Sequence, residues 1–329
     1  MHGREECSKD WKSEDNRELP RANTRLEPNG WPHVQLSTRL HGKNPALELR
    51  NAFETKLVEL SPGCADVFAT DGIRIGLEAH GAEGGEITVG LVAQDMRDFC
   101  LLDFVGIDVL ERFAEFLVDR IEARTATRVR IGPLMGKAAK LLKERLQARE
   151  SNFIFEDSVL SIEPLLDKRH SDGPASKQSL RRALRKALQA ELSVSSECLP
   201  ASAMQSLHEQ RWGKNRFLAF FDMMHAFAGE PYCECISLKD VSGRIVGQQL
   251  DFCFFDQRSF YYAVTDRTAH SGLGTALLSE SIRRFYEAPS MILYSFGRGG
   301  EEYKYRYAQS VRLNHYILGF RANRRSLFQ

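Results

Sequence analysis

The stretch that most constrains this chain runs from Met291 to Tyr307. Met291 to Phe296 is an apolar run of the length of a short buried strand. Three glycines within the next four residues (Gly297, Gly299, Gly300) break it, and a polar, aromatic and cationic turn of helix follows from Glu301 to Tyr307. A strand that ends in a glycine-rich bend presents backbone N–H groups and side chains at the carboxyl edge of a sheet, where α/β proteins tend to bind ligands. Taken alone, the same residues also fit a plain loop with a solvated charged helix. The elements around them decide between the two.

Two helices are expected between Ala201 and Gly229, the first placing His208 and Arg211 one turn apart. Strands over Tyr232–Leu238, Ile245–Phe255 and Ser259–Val264 read as an antiparallel meander, joined by turns at Lys239–Gly243 and Asp256–Gln257. After the loop Thr265 to Ser271 comes a helix over Gly272–Tyr286, then the Met291–Phe296 strand, a short helix over Glu301–Ala308 and a last strand over Val311–Leu318. The helix start at Gly272 offers free N–H donors and a partial positive charge, suited to a pyrophosphate. An ordinary glycine-started helix is the plain alternative.

The first half repeats an α/β pattern from about Pro45 to Pro164. Val67–Ala69 and Ile73–Leu77 flank the Asp71-Gly72 turn as a hairpin, and Ile87–Val92 is another strand. Ile107, Leu110, Phe113, Leu117 and Ile121 form one stripe of a helix. A short strand over Val129–Ile131 is expected to end at Gly132-Pro133, with a helix over Gly136–Ala148 and a strand over Phe153–Ile162 after it. The glycine-rich Gly81–Gly85 lacks phosphate-loop spacing and is assigned no role.

At 329 residues the chain exceeds one typical domain, so two domains or one duplicated unit are expected. The predicted division is a tail over residues 1–43, rich in charge, Asn and Pro and expected to be disordered, a first domain over 44–166 and a second over 167–329. A net charge of +1 argues against a general polyanion binder. A basic helix begins after Ser176, with Lys177, Arg181, Arg182, Arg185 and Lys186 alternating with leucines. It reads either as a surface helix or as a guide for an anionic ligand. Seven scattered cysteines lack any Cys-x-x-Cys pair and nine histidines lack an HExxH set, so no metal is expected. The cysteines read as small buried hydrophobes in a reducing cytosol. No signal peptide and no apolar run of about 18 residues is found, which points to a soluble, cytoplasmic protein.

The segment Phe296, Gly297, Arg298, Gly299, Glu301 or Glu302, Tyr303, Lys304, Arg306 and Tyr307 resembles the signature of the acetyltransferase-like domain associated with bacterial cellulose and exopolysaccharide biosynthesis (the CelD type). That family is a branch of the GCN5-related N-acetyltransferase (GNAT) superfamily, whose element order the second half follows. Ser295 stands where the family carries an acid. The resemblance spans roughly Ser176 to Phe320. It implies an α/β (α+β) fold of two GNAT-like halves, each a mixed, mostly antiparallel sheet flanked by helices.

The resemblance also implies acetyl-CoA or another acyl-CoA as donor, and a small-molecule or saccharide acceptor such as an envelope or exopolysaccharide precursor. In the superfamily the loop before the third helix holds the pyrophosphate of coenzyme A. Here that loop is Arg267, His270, Ser271, Gly272, Leu273, Gly274 and Thr275, with Ala269 at the leading basic position. A tyrosine after the fifth strand often serves as the acid for the leaving thiolate, which implies Tyr303. Lys304 and Arg306 are expected to fix an anionic group, Glu302 to act as base if buried, and His208, Arg211 and Arg298 to meet the acceptor. Two other readings stand beside this one. The peptidoglycan-bridge aminoacyl transferases (Fem type) also pair two GNAT-like halves and draw on aminoacyl-tRNA, which the basic helix would suit. A non-catalytic binding protein on the same fold is the other, suggested by Ala269 and Ser295.

Overall fold

The computed structural model describes residues 25–26, 45–81, 86–94, 100–122, 127–148, 153–170, 178, 181–182, 185, 191–214, 220–254 and 256–322. The expectations for the rest of the tail and for residues 82–85 lie outside the described residues. So does the basic helix, except that Gln178, Arg181, Arg182 and Arg185 are helical and exposed.

In the first half come β1 (Arg25–Leu26), α1 (Pro45–Leu60), β2 (Cys64–Thr70), β3 (Ile73–Gly81), β4 (Ile87–Leu91), α2 (Ile107–Glu122), β5 (Arg128–Leu134), α3 (Gly136–Ala148) and β6 (Phe153–Asp167). In the second half come β7 (Ser193–Ser195), α4 (Ala201–Trp212), α5 (Phe220–Phe227), β8 (Cys233–Lys239), β9 (Ile245–Phe254), β10 (Gln257–Thr265), α6 (Leu273–Glu287), β11 (Leu293–Ser295), α7 (Glu302–Tyr305) and β12 (Ser310–Ala322). The Asp71-Gly72 hairpin forms as read, both residues at positive φ (49° and 77°) as a type I′ turn requires.

The strands join into one sheet in the order β2-β3-β4-β5-β12-β6-β11-β10-β9-β8-β7, with β1 beside β12. The order is nearly symmetric about the central pair. In each half an antiparallel meander precedes a helical crossover to a parallel strand, β4 to β5 through α2 and β10 to β11 through α6. The slot beside each parallel strand is then filled by the other half: β12 lies antiparallel against β5, and β6 antiparallel against β11. The two halves therefore share a sheet and exchange their last strands.

Helix α1, which the sequence reading passed over, ties the halves further. Its Phe53 and Leu57 are buried in the second-half core, Phe53 stacking on Phe227 at 5.1 Å and meeting Phe252 edge-on at 5.1 Å. Burying each such side chain is worth roughly 1.5–3 kcal/mol. Beside them Arg50 lies over the Phe104 ring at 3.2 Å and near Phe254 at 4.9 Å.

Three local expectations need correction. Strand β5 does not stop at Gly132-Pro133 but runs on to Leu134, because a register irregularity opposite, between Tyr316 and Leu318, takes up the missing proline N–H. Strands β6 and β12 are longer than read, since each pairs with the other along most of its length. Among the cysteines, Cys198 and Cys235 form a disulfide with their Cα atoms 6.3 Å apart, where residues 197–199 lie along β8, whereas Cys64, Cys233 and Cys253 take part in no disulfide.

Candidate active site

Strands β10 and β11 pair over only three positions, Gln257 to Leu293, Arg258 to Tyr294 and Ser259 to Ser295. Beyond Ser259 the register of β10 shifts between Phe260 and Tyr262. Beyond Ser295 the segment after β11 turns off through Gly297 and Gly299, at φ 73° and 110°. Two parallel strands that separate in this way leave a wedge. It opens into a cleft of about 840 Å³. Phe260, Tyr261, Tyr262 and Ala263 of β10, Gly274, Thr275 and Leu278 of α6, His208, Arg211 and Trp212 of α4, and Glu301, Tyr303, Arg306 and Tyr307 in and around α7 line it.

The base of the wedge is rigid. Arg258, buried on β10, donates to Asp251 at 2.8 Å and to Glu234 at 2.6 Å, and Asp251 also accepts from Gln249 at 2.7 Å and from Ser281 of α6. The Ser281 hydroxyl lies 2.8 Å from that of Tyr294 on β11. Four strands, β8 to β11, and α6 are thus pinned below the point of divergence.

The start of α6 is open. Gly272 is in the left-handed region (φ 87°) and, among the described residues, no side chain caps the helix. The first helical bond is Ala276 N–H to Gly272 O at 3.0 Å, which leaves the N–H groups of Leu273, Gly274 and Thr275 without an intrahelical acceptor. Among the described residues, and apart from the adjoining chain and the helix's own backbone, no heavy atom lies within 4 Å of where a Cβ on Gly272 or Gly274 would sit. Asp266 holds the loop by accepting from the Thr268 N–H at 2.9 Å and from Arg244 at 3.0 Å. Hydrogen bonding by Thr268 keeps the Asp266 carboxyl below the usual range. Arg267, His270 and Ser271 are exposed beside this entrance, outside the cleft lining. The Leu273 side chain is buried in the core, so that residue can offer only its backbone.

Tyr303 is 40% exposed and lines the cleft. Burial of its ring, helped by Glu301 and opposed by Arg211, pushes its hydroxyl up to about 12, so it stays protonated at neutral pH. Arg306 also reaches the cleft; Lys304 does not. The Lys304 ammonium is buried, donating to the carbonyls of Arg298 at 2.6 Å and Gly297 at 3.4 Å and pairing with Glu301 at 2.8 Å. It therefore holds the glycine bend shut rather than meeting an anionic ligand. Glu302 does not become a buried base: its side chain is 81% exposed and pairs with Arg306 at 3.2 Å. Arg298 is half-buried outside the lining, its carbonyl taken by Lys304.

Ser295 has an acid after all, from another strand. Its hydroxyl donates to Glu163 of β6 and accepts the Gly297 N–H at 3.1 Å, and Glu163 is in turn bound by Arg312 at 2.6 Å. Sequence reading also missed the aromatic lining and one contact within it: Nδ1 of His208 lies 3.0 Å from the hydroxyl of Tyr262. Fifty-four positions separate these two residues, and no local pattern signals the pairing.

Residues 175–305 match the family described as the acetyltransferase (GNAT) domain. Over that stretch the chain is similar to a GNAT acetyltransferase domain. No curated protein matches the chain by sequence. Solved structures resemble the GNAT domain together with the half before it. The C-terminal domain of a putative lysylphosphatidylglycerol synthetase from Agrobacterium fabrum shares 10% identity at a TM-score of 0.55, over 86% of this chain and 94% of that one. The L-PGS from Bacillus licheniformis shares 12% at 0.53, over 86% and 94%. A conserved protein of unknown function from Bacteroides thetaiotaomicron shares 12% at 0.54, over 85% and 92%. At such identities the likeness is one of fold, and it extends over both GNAT-like halves.

Proposed function

We propose that the chain is an acyl-CoA-dependent N- or O-acyltransferase acting from the cytoplasm on a small-molecule acceptor, of the sugar or envelope-precursor class that the CelD-type resemblance implies. The observation that carries the reading is one cleft lined both by the uncapped start of α6 and by a protonated tyrosine. The site fits such a donor: free N–H groups and unfilled space at Gly272 and Gly274 suit a pyrophosphate, and the parted strands leave room for an extended pantetheine-like arm.

A bound acyl-CoA supplies an activated thioester carbonyl and a thiolate leaving group. The residues around it divide the work. Gly274 and Thr275 bind phosphate through their backbone, with Arg267, His270 and Ser271 at the entrance. Tyr303 protonates the departing sulfur, a role worth roughly 10²–10⁴ in rate. Arg211 and Arg306 hold an anionic or polar part of the acceptor. The pinned base of the wedge keeps Tyr303 and the start of α6 in register.

Calorimetric titration with acetyl-CoA, longer acyl-CoAs and free coenzyme A tests the reading, followed by thiol release with amino-sugars. Binding of none of the three would sink it. The paired halves and the exposed Arg181, Arg182 and Arg185 favour a second reading, a Fem-type transfer from aminoacyl-tRNA. It predicts tRNA binding that weakens steeply with salt.

A further inference from the structure

The Tyr262–His208 contact has no role in the scheme above, and its surroundings set it apart. The two rings lie 6.1 Å apart at an interplanar angle of 28°, and both line the cleft. His208 is boxed by Trp212 at 4.9 Å, Phe221 at 5.3 Å and Phe220 at 6.4 Å. Among the described residues no other side chain hydrogen-bonds to either group. Its own helix brings Glu209 and Arg211, the packed face of α5 brings uncharged phenylalanines, and Glu301, Tyr303 and Arg306 line the same cleft. Tyr303 and Tyr262 thus line one cleft from different elements, α7 and β10, whereas Glu302, the carboxylate expected to serve as base, faces solvent.

A phenol donates more readily than it accepts, and an imidazole nitrogen accepts, so the resting bond runs from the Tyr262 O–H to Nδ1 of His208. We propose that this pair is the proton relay that deprotonates the acceptor: the acceptor's N–H or O–H proton passes to Oη of Tyr262 as the tyrosine's own proton passes to Nδ1 of His208. The inference rests on the acyl-transfer reading. The acceptor's freed electron pair forms the bond to the acyl carbon, and Tyr303 protonates the sulfur as the carbon–sulfur pair leaves on it. His208 ends as imidazolium and returns its proton to solvent, while Tyr303 regains one. Tyr262 is the catalytic residue; His208 acts through it. Burial lowers the His208 pKa and raises that of Tyr262, so at neutral pH the acceptor nitrogen is free and the hydroxyl intact.

Two measurements on the full chain test the relay. The first needs no substrate: an NMR titration of the His208 ring, assigned with His208→Gln. It should titrate below 6.5 in the unaltered protein and shift upward in Tyr262→Phe, because the lost donor had stabilised the neutral ring. A downward shift, or none, would place the proton on Nδ1 or remove the bond, and overturns the relay. The second is acetyl-CoA binding and thiol release with glucosamine as probe acceptor. Tyr262→Phe and His208→Gln should keep the dissociation constant within about twofold and lose about 10²–10⁴ in kcat. The acidic fall in kcat/KM should follow the His208 titration and vanish in His208→Gln. An unchanged acidic limb in that variant overturns the relay while leaving acyl transfer standing. Failure of the unaltered protein to bind acetyl-CoA overturns acyl transfer itself.

Discussion

At the scale of single residues the site separates side chains that face the cleft from neighbours that support them, and sequence proximity does not distinguish the two. Tyr303 and Lys304 are adjacent, yet one ring opens on the cleft and the other ammonium is spent on two backbone carbonyls and Glu301. The consequences of changing them should differ. Tyr303→Phe should lower kcat about 10²–10⁴-fold with acetyl-CoA affinity unchanged. Because the hydroxyl is held up to about 12, the unaltered protein should show no alkaline loss of activity from this group at pH 9. Lys304→Met should instead lower stability, by about 1.5–3 kcal/mol for the loss of charged hydrogen bonds, seen as a drop in denaturation midpoint. The motif was legible because glycines and a Tyr-Lys pair are local. That Glu163 stands behind Ser295 was not, since the acid comes from a strand 132 residues away.

At the scale of elements, α6 has to be anchored along its length and open at its start. Gly274→Leu should fill the space before the free N–H groups, weakening acetyl-CoA binding at least tenfold while the melting temperature holds, because nothing packed lies within 4 Å of that Cβ. Gly272→Ala should cost about 1–2 kcal/mol for its left-handed φ of 87°. Below the wedge, Asp251→Ala should cost about 3–5 kcal/mol by removing the fully buried one of the two carboxylates that pair with the buried Arg258 charge. The same cluster sets a pH response. Burial pushes Glu234 and Glu280 up, but Arg258, Arg283 and Arg284 outweigh it and hold both below the ordinary 4.5. Their contribution is complete above that value and is lost as pH falls through the lowered pKa values, so thermal midpoints should be level above pH 4.5 and decline below it. The elements themselves were largely readable: α2, α3 and α6 begin and end within a residue or two of the apolar pattern. Strand partners were not, because a period of two residues reports which face is buried and says nothing about which strand lies alongside.

At the scale of the molecule, the exchanged strands decide how the protein unfolds. Neither half has a complete sheet of its own: without β12 the edge of β5 and one side of β6 lose their partner, and without β6 the edge of β11 does. Phe320 of β12 is buried in the first-half core, and Phe53 of α1 in the second. The chain should therefore melt in one cooperative transition. Residues 44–166 and 167–329, produced separately, should each fail to give dispersed NMR spectra, since each would expose an unpaired strand edge and an open core. Produced together, they should recover a folded complex that elutes at the size of the intact chain. Two independent transitions, or a folded isolated half, would mean that the central β12–β6 pair is a contact between finished domains and not part of the core of either. Phe53→Ala adds a sharper test: at about 3–5 kcal/mol of destabilisation it should lower the single transition as a whole, not detach one half, because its ring is a first-half side chain packed in the second-half core.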